Sequence, residues 1–422
     1  MLPLVTRRRF AVTAAGLLLP PFALAQPKNE LADLDDLMTT FVKENEVPGA
    51  ALAVTRNGKL AFARGFGFAD QDKKTPVLPT SLFRIASVSK TITGIAVMRL
   101  VEQKRLKLDD EIAPLLQLKP VASRDQPDPR WKDITVRHCL QHTGGWDRDQ
   151  SSDPITDPVR IARAVGHAPP VSTTDVIRYM LAQPLDFDPG TRVAYSNFGY
   201  LVVGRIIAAK SGMSYEEYVR KEVFARVGVT RPRLGRAVPE KRPTDEVRYY
   251  DSKKRTGKCL YPPRYGKVVP LPDGGENFEA FEAFGGWVAS AVDLDKLAVA
   301  FDDPEHCPLL SADSIADMWA RPVGAAGTDP DGKPKPVFDA CGWRVRPVGD
   351  GGKVNAWHAG RIAGTESLVV RSHDGLCWTV LFNTNENPAG KSLAALIERP
   401  LRDALGAVKA WPADDLFPTY LK

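Results

Sequence analysis

The sequence predicts an α+β fold in which one antiparallel β-sheet, built from both ends of the chain and flanked by helices, is interrupted by an inserted, mostly helical subdomain. Three observations predict it. Strand-length apolar runs occupy the early part of the chain (GAALAVT, KLAFARGFGF) and return near its end (CGWRVRPV, VNAWHAG, ESLVVRS, LCWTVLFNT). Between them, from Asp109 to about Gly285, the composition turns to proline, charge and helical apolar spacing. The segment from Ser87 through Val101 is so largely apolar that it predicts a helix buried on most sides. The expected division is 26–110 with 285–422 for the sheet subdomain and 111–284 for the helical one, with the active site between them.

In chain order, residues 1–25 come first. Thr6-Arg7-Arg8-Arg9-Phe10, an apolar stretch from Ala11 to Phe22 broken by Pro20 and Pro21, and Ala23-Leu24-Ala25 before Gln26 form a twin-arginine signal peptide. The run is too short to span a bilayer, so the expected product is periplasmic or secreted, with no stable membrane insertion once the leader is removed. The leader holds three arginines and no acid, so its removal lowers the formal net charge from +6 to +3. A chain so near balance, without a long basic block, is not a nucleic-acid binder. Cys139, Cys259, Cys307, Cys341 and Cys377 are scattered with no close pair, which excludes a zinc ribbon and a dense disulfide framework while leaving a single bridge open.

Leu34, Leu37, Met38, Phe41 and Val42 recur at helical spacing and predict an opening amphipathic helix. Arg56-Asn57-Gly58 then joins the first two strands, because Asn-Gly supplies the left-handed residues of a tight hairpin. Helices are expected near 174–183 and 197–210, and a closing helix over 390–407. His373-Asp374-Gly375 joins the last two strands. Ser290 and Asp293 form a capping pair for a helix at 291–301. Trp146, Trp287, Trp343 and Trp357 are expected mostly in the core.

The stretch FRIASVSK raises the chemical question, since Lys90 opens the apolar run. Residues three apart on a helix nearly overlie, so Ser87 faces Lys90 and Ser89 does not. Desolvation lowers a lysine pKa, and a neutral amine can accept the proton of a hydroxyl. The helix start adds N–H groups that favour negative charge at Ser87. Alone the pattern is weak, because roughly one S-x-x-K is expected by composition in a chain this long. A second element, Tyr195-Ser196-Asn197, follows the turn Asp188-Pro189-Gly190. A phenol near a cationic lysine should ionise more easily, so Tyr195 would pass protons, while Asn197 would hold Lys90 or a substrate carbonyl. A third, His358-Ala359-Gly360, lies on an edge-type strand where the N–H of Arg361 would reach a developing oxyanion and Gly360 would admit close approach. His138 and His142 have helical metal spacing, but no glutamate follows His138 and no third ligand is apparent, so they are assigned to a loop; no metal or organic cofactor is implied.

The ordered set S-x-x-K, Y-x-N, H-x-G resembles the serine β-lactamase-like superfamily, in the branch of class C β-lactamases, D-alanyl-D-alanine carboxypeptidases and related carboxylesterases. LVEQKRLKLDDEIAPLL, ITVRHCLQHTGGW, FDPGTRVAYSNFGYLVVGRII, GGWVASAVDLDKLA and WHAGRIAGTESLVV resemble family blocks in family order. The resemblance implies Ser87 as acylated nucleophile, Lys90 as its activator, Tyr195 as proton carrier, Asn197 as a contact to substrate and lysine, and His358 and Gly360 on the strand lining the site. Where family β-lactamases usually have Lys-Thr-Gly, this chain has His358-Ala359-Gly360, and the missing hydroxyl of Ala359 argues for ester or amide substrates without a carboxylate anchor. The expectation is an exported serine hydrolase acting on small ester, amide or peptide substrates, carboxylesterase-like. The alternatives are a penicillin-interacting D-alanyl-D-alanine peptidase or β-lactamase, or a non-catalytic protein that binds cell-wall fragments.

Overall fold

The computed structural model describes residues 31–121, 127–349 and 351–421. The leader lies outside the described residues. The chain opens with α1 (Ala32–Glu44), which buries Leu34, Met38 and Phe41. β1 (Gly49–Arg56) and β2 (Lys59–Asp70) follow, joined through Asn57 and Gly58 at φ 50° and 79°, the left-handed pair that a two-residue hairpin requires. After β3 (Thr75–Pro76) and β4 (Phe83–Arg84), a 3₁₀ turn, Ala86–Val88, leads into α2 (Ser89–Glu102).

The middle of the chain carries α3 (Val136–Leu140), α4 (Thr173–Leu181) and α5 (Asn197–Ser211). It also holds β5 (Arg233–Leu234), β6 (Thr256–Lys258) and β7 (Val268–Pro270), strands too short to show a two-residue period in sequence. β8 (Trp287–Ala289) joins β4 and β5 in a small sheet, and α6 (Ala291–Ala298) starts at a capping box of Ser290 and Asp293. β9 (Phe338–Asp339), β10 (Arg344–Val348), β11 (Lys353–Ile362), β12 (Thr365–Arg371), β13 (Leu376–Phe382) and α7 (Leu393–Ala407) complete the order.

The main sheet runs β3-β2-β1-β13-β12-β11-β10-β9, with every pair antiparallel. Its centre is the junction of the chain's two ends, where Leu52 faces Val380 and Val54 faces Trp378. One face packs Leu52, Val54, Trp378 and Val380 under α1 and α7; the other packs Ala51, Ala53, Val369 and Leu381 against the cluster that contains α2 and α6. Trp146, Trp287 and Trp343 are buried, while Trp357 is only half-buried.

Two expectations need correction. Ser87 lies in the 3₁₀ turn before α2, not in its first α-helical turn, because the chain must leave β4 and turn before α-helical hydrogen bonding begins. β11 is not a simple edge strand: β10 pairs with it from Lys353 to Trp357 and β12 from Ala356 to Ile362, so only its second half is open on one side.

Arg84, fully buried, ties the turn before Ser87 to residues 236–278. It donates to the carbonyls of Pro272 at 2.9 Å and Arg236 at 2.8 Å and lies between the rings of Tyr249 and Phe278, at 4.5 and 4.0 Å. It also stands 4.0 Å from the buried Glu246. Removing one member of such a buried set strands the others, so Arg84→Met is expected to lower unfolding free energy by about 3–5 kcal/mol. Urea unfolding checks this, and an unchanged midpoint would show that the carbonyls and Glu246 do not depend on the guanidinium.

Candidate active site

Ser87 is held from three directions. The Ile85 N–H donates to Trp287 O at 3.0 Å, and the Ile85 carbonyl accepts from Ser367 Oγ at 2.7 Å. On the third side is Gly360: a Cβ there would sit 2.4 Å from Ile85 O and 2.8 Å from Ser87 N, so any larger residue would push β11 off the turn. Ala86, buried beside Ser87, has φ 45°, a left-handed conformation that a residue with a Cβ adopts at a cost of roughly 1–3 kcal/mol.

Lys90 is fully buried. Its Nζ lies 3.0 Å from Ser87 Oγ, 2.7 Å from Asn197 Oδ1 and 2.9 Å from the Phe284 carbonyl oxygen. Burial holds its pKa well below the ordinary lysine range; Asp153 opposes that shift and Arg148 adds to it. A neutral amine fits these partners, with two N–H bonds to Asn197 and Phe284 and a lone pair for the Ser87 proton. Ser89 takes no part: it is buried, and its Oγ accepts the Trp287 N–H at 3.3 Å.

Asn197 is oriented from its other end. Its Nδ2 donates to Asp153 Oδ2 at 2.7 Å, which turns Oδ1 toward Lys90. Burial raises the Asp153 pKa, with the Asn197 bond opposing. Ser196 caps α5, accepting the Gly199 N–H. Tyr195 hydrogen-bonds Ser87, and the Lys90 Nζ and Arg148 Cζ stand 4.9 and 4.7 Å from its ring centroid.

The expectation that this phenol ionises readily is overturned. Burial pushes the Tyr195 pKa up, more than the Ser87 hydrogen bond lowers it, and a lysine kept neutral offers no charge to favour phenolate. Of the two groups, the amine is the one shifted toward accepting a proton and the phenol the one shifted toward keeping its own.

His142 fixes Tyr195, a role the sequence did not reveal. Its carbonyl accepts the Ala194 N–H at 2.8 Å, its Nδ1 accepts the Ser196 N–H at 3.1 Å, and its ring stacks on Tyr195 at 4.3 Å. Burial depresses its pKa well below the usual histidine value, so it stays neutral. His138 belongs instead to the capping box of α3, and among the described residues no group of three or more His, Cys, Asp or Glu could hold a metal ion. All five cysteines are unpaired.

A cleft of about 810 Å³ opens over Ser87. Asn197, Asp153 and Arg148 line it on one side, Phe281 and Phe284 on another, and Arg361 on the β11 side. His358 is half-buried, and the surrounding protein holds its pKa below the ordinary value by desolvating the charged ring. Ala359 does not line this cleft. It lines a separate cavity on the outer face of the sheet, so its lack of a hydroxyl carries no information about carboxylate recognition beside Ser87, contrary to expectation. Asp153 and Arg148 escape the sequence reading because they lie in DRDQSSD, where a helix of only four residues, Arg148–Ser151, is too short to leave a spacing signal.

A family profile described as Beta-lactamase matches residues 34–400. Protein flp of Staphylococcus aureus (strain N315) is 28% identical over 187 residues, 44% of this chain and 34% of that protein. Penicillin-binding protein 4* of Bacillus subtilis (strain 168) is 28% identical over 211 residues, 49% of this chain and 42% of that one. The matches thus span well under half the length of these curated relatives. Among solved structures, the octameric penicillin-binding protein homologue from Pyrococcus abyssi superposes with TM-score 0.62 at 24% identity, covering 88% of this chain and 77% of that one. D-amino acid amidase from Ochrobactrum anthropi SV3 gives 0.65 at 21%, covering 89% and 99%. EstCE1, a hydrolase with promiscuous acyltransferase activity, gives 0.65 at 19%, covering 89% and 98%. At these identities the structural likeness shows the fold.

The groups facing Lys90 set the sign of a test. Asp153 favours its ammonium form, whereas Arg148 disfavours it. Asp153→Asn is therefore expected to move the acid limb of Ser87 acylation by an activated ester to lower pH. The plateau rate should also fall roughly tenfold to a hundredfold as the Asn197 amide loses its fixed orientation. An acid limb that stays put or moves to higher pH would contradict the role given to Asp153.

Proposed function

The chain belongs to the Beta-lactamase family of serine hydrolases, which act through an acyl-enzyme, and on that premise we propose that it is a carboxylesterase-like enzyme cleaving small ester or amide substrates at Ser87. The observation that carries the reading is the 3.0 Å contact between Ser87 Oγ and a buried lysine amine. As Oγ attacks the carbonyl carbon, its proton passes to Lys90 Nζ. The N–H groups of Ser87 and Arg361 receive the oxyanion, a placement supported by the close approach of Gly360 to Ser87 N. Tyr195 then gives its proton to the leaving oxygen or nitrogen as that bond breaks, and recovers one from Lys90. Water, deprotonated by the same pair, releases the acid and frees Ser87. In this reading the leader at residues 1–25 sends the folded enzyme out of the cytoplasm by the twin-arginine route.

The substrate preference rests on His358. Its neutral ring supplies no fixed charge where family β-lactamases usually carry lysine, which suits substrates without a carboxylate anchor. One feature favours a second reading as a penicillin-interacting peptidase or β-lactamase. Arg148 and Arg361 line the cleft, and neither forms an ion pair among the described residues, so either could meet a substrate carboxylate.

Intact-mass analysis separates these readings. An activated ester should add its acyl group to the protein, with none on Ser87→Ala, and Lys90→Ala should slow the addition roughly 10²- to 10⁴-fold. Labelling by penicillin faster than by ester would move the assignment to the second reading. An adduct on another residue would refute Ser87 as nucleophile, and no turnover of an ester and amide panel combined with tight muropeptide binding would reverse the enzymatic reading.

A further inference from the structure

Ala359 has no role at Ser87, but it has a place. Side chains alternate along β11, so while Gly360 touches the catalytic turn, Trp357 and Ala359 face the opposite side of the sheet. There Trp357, Val370 and Trp378 form a row across β11, β12 and β13, with Ala359 opposite Leu368 in the adjacent row. α7 passes over this surface without closing on it. The residues it offers are Ala394, Ala395, Glu398 and Arg402, two small and two charged, against an apolar floor.

The start of α7 cannot settle closer to fill the gap. Glu366 accepts from Ser392 Oγ at 2.5 Å and from the Leu393 N–H at 2.7 Å, which pins its first turn, and Leu393, Ile397, Leu401 and Leu405 are committed to the core beside α1. What remains is a cavity of about 450 Å³, within the size range of small-molecule sites.

Its charge is one-sided. Glu398 is already bonded to Arg402 at 2.8 Å, whereas Arg346 lies over the Trp357 ring at 5.5 Å and forms no ion pair among the described residues. An aromatic and aliphatic floor with an unpartnered guanidinium at the mouth matches a molecule with an apolar body and an anionic head.

We infer that the cavity between the outer sheet face and α7 is a binding site for an amphiphilic carboxylate, distinct from the Ser87 cleft. The occupant seats its chain on Trp357, Leu368, Val370 and Trp378 and its carboxylate against Arg346. The inference stands apart from the proposed esterase activity, because it uses none of the groups around Ser87.

Decanoate is the probe, titrated into Ser87→Ala protein with tryptophan emission as the readout, because Trp357 and Trp378 line the cavity. Saturable binding below about 1 mM is expected, weakened about tenfold by Arg346→Ala and abolished by either Ala395→Trp or Ala359→Leu, two separate ways of filling the space. Decyltrimethylammonium should bind at least tenfold more weakly. The same substitutions in the Ser87 protein should leave ester acylation unchanged. Binding that survives both filling substitutions, a preference for the cationic amphiphile, or no saturation would overturn the site.

Discussion

The structure is organised around an amine buried with no carboxylate of the described residues in hydrogen-bonding reach. Charged, it would be costly to remove from water; neutral, it donates to Asn197 and Phe284 at 2.7 and 2.9 Å and turns its lone pair to the Ser87 hydroxyl at 3.0 Å. That condition requires α2 to be enclosed on all sides, and residues 89–100 are indeed all buried. The enclosure comes from α5 and Phe284, from β8 through Trp287 and Ser89, and from the turn at Cys341 and Gly342 between β9 and β10. A helix with one wet face would have hydrated Lys90 and restored its charge.

Precision at Ser87 follows from the same enclosure and has its own cost. Gly360 permits contact between β11 and the turn that carries Ser87, Arg84 ties that turn to residues 236–278, and Ala86 holds a strained φ. On the other wall His142 grips the backbone on both sides of Tyr195, through its carbonyl and its ring nitrogen, while stacking on its ring, so the phenol is placed by one residue. Asp153 does for Asn197 what His142 does for Tyr195: it selects one of two orientations of a symmetric-looking amide. The strain and the buried polar groups are held in place by packing that surrounds them.

Much of this was legible in the residues. The hairpin at Asn57-Gly58, the terminal strands, the enclosed helix and the Ser87–Lys90 pairing follow from local rules of period and spacing that need no tertiary information. What escaped depends on contacts between distant segments. His142 and Asp153 act through partners more than forty residues away, separated from them by 54 and 44 positions. Tyr195 was given the wrong direction of ionisation because its neighbour's charge was assumed while its own burial was invisible. Reading His358-Ala359-Gly360 as one unit gives the missing hydroxyl of Ala359 a bearing on carboxylate binding that the alternation of the strand removes. Strands of two or three residues, such as β5 and β9, carry no pattern to read.

The titration of Lys90 itself decides whether this account is right. With isotopically labelled lysine and Lys90→Arg to assign the resonance, side-chain NMR follows one amine through pH. The account predicts a group that takes up its proton well below the ordinary lysine value of about 10.4. A Lys90 that stays protonated until pH 10 would leave Ser87 without a base and contradict the mechanism at its root.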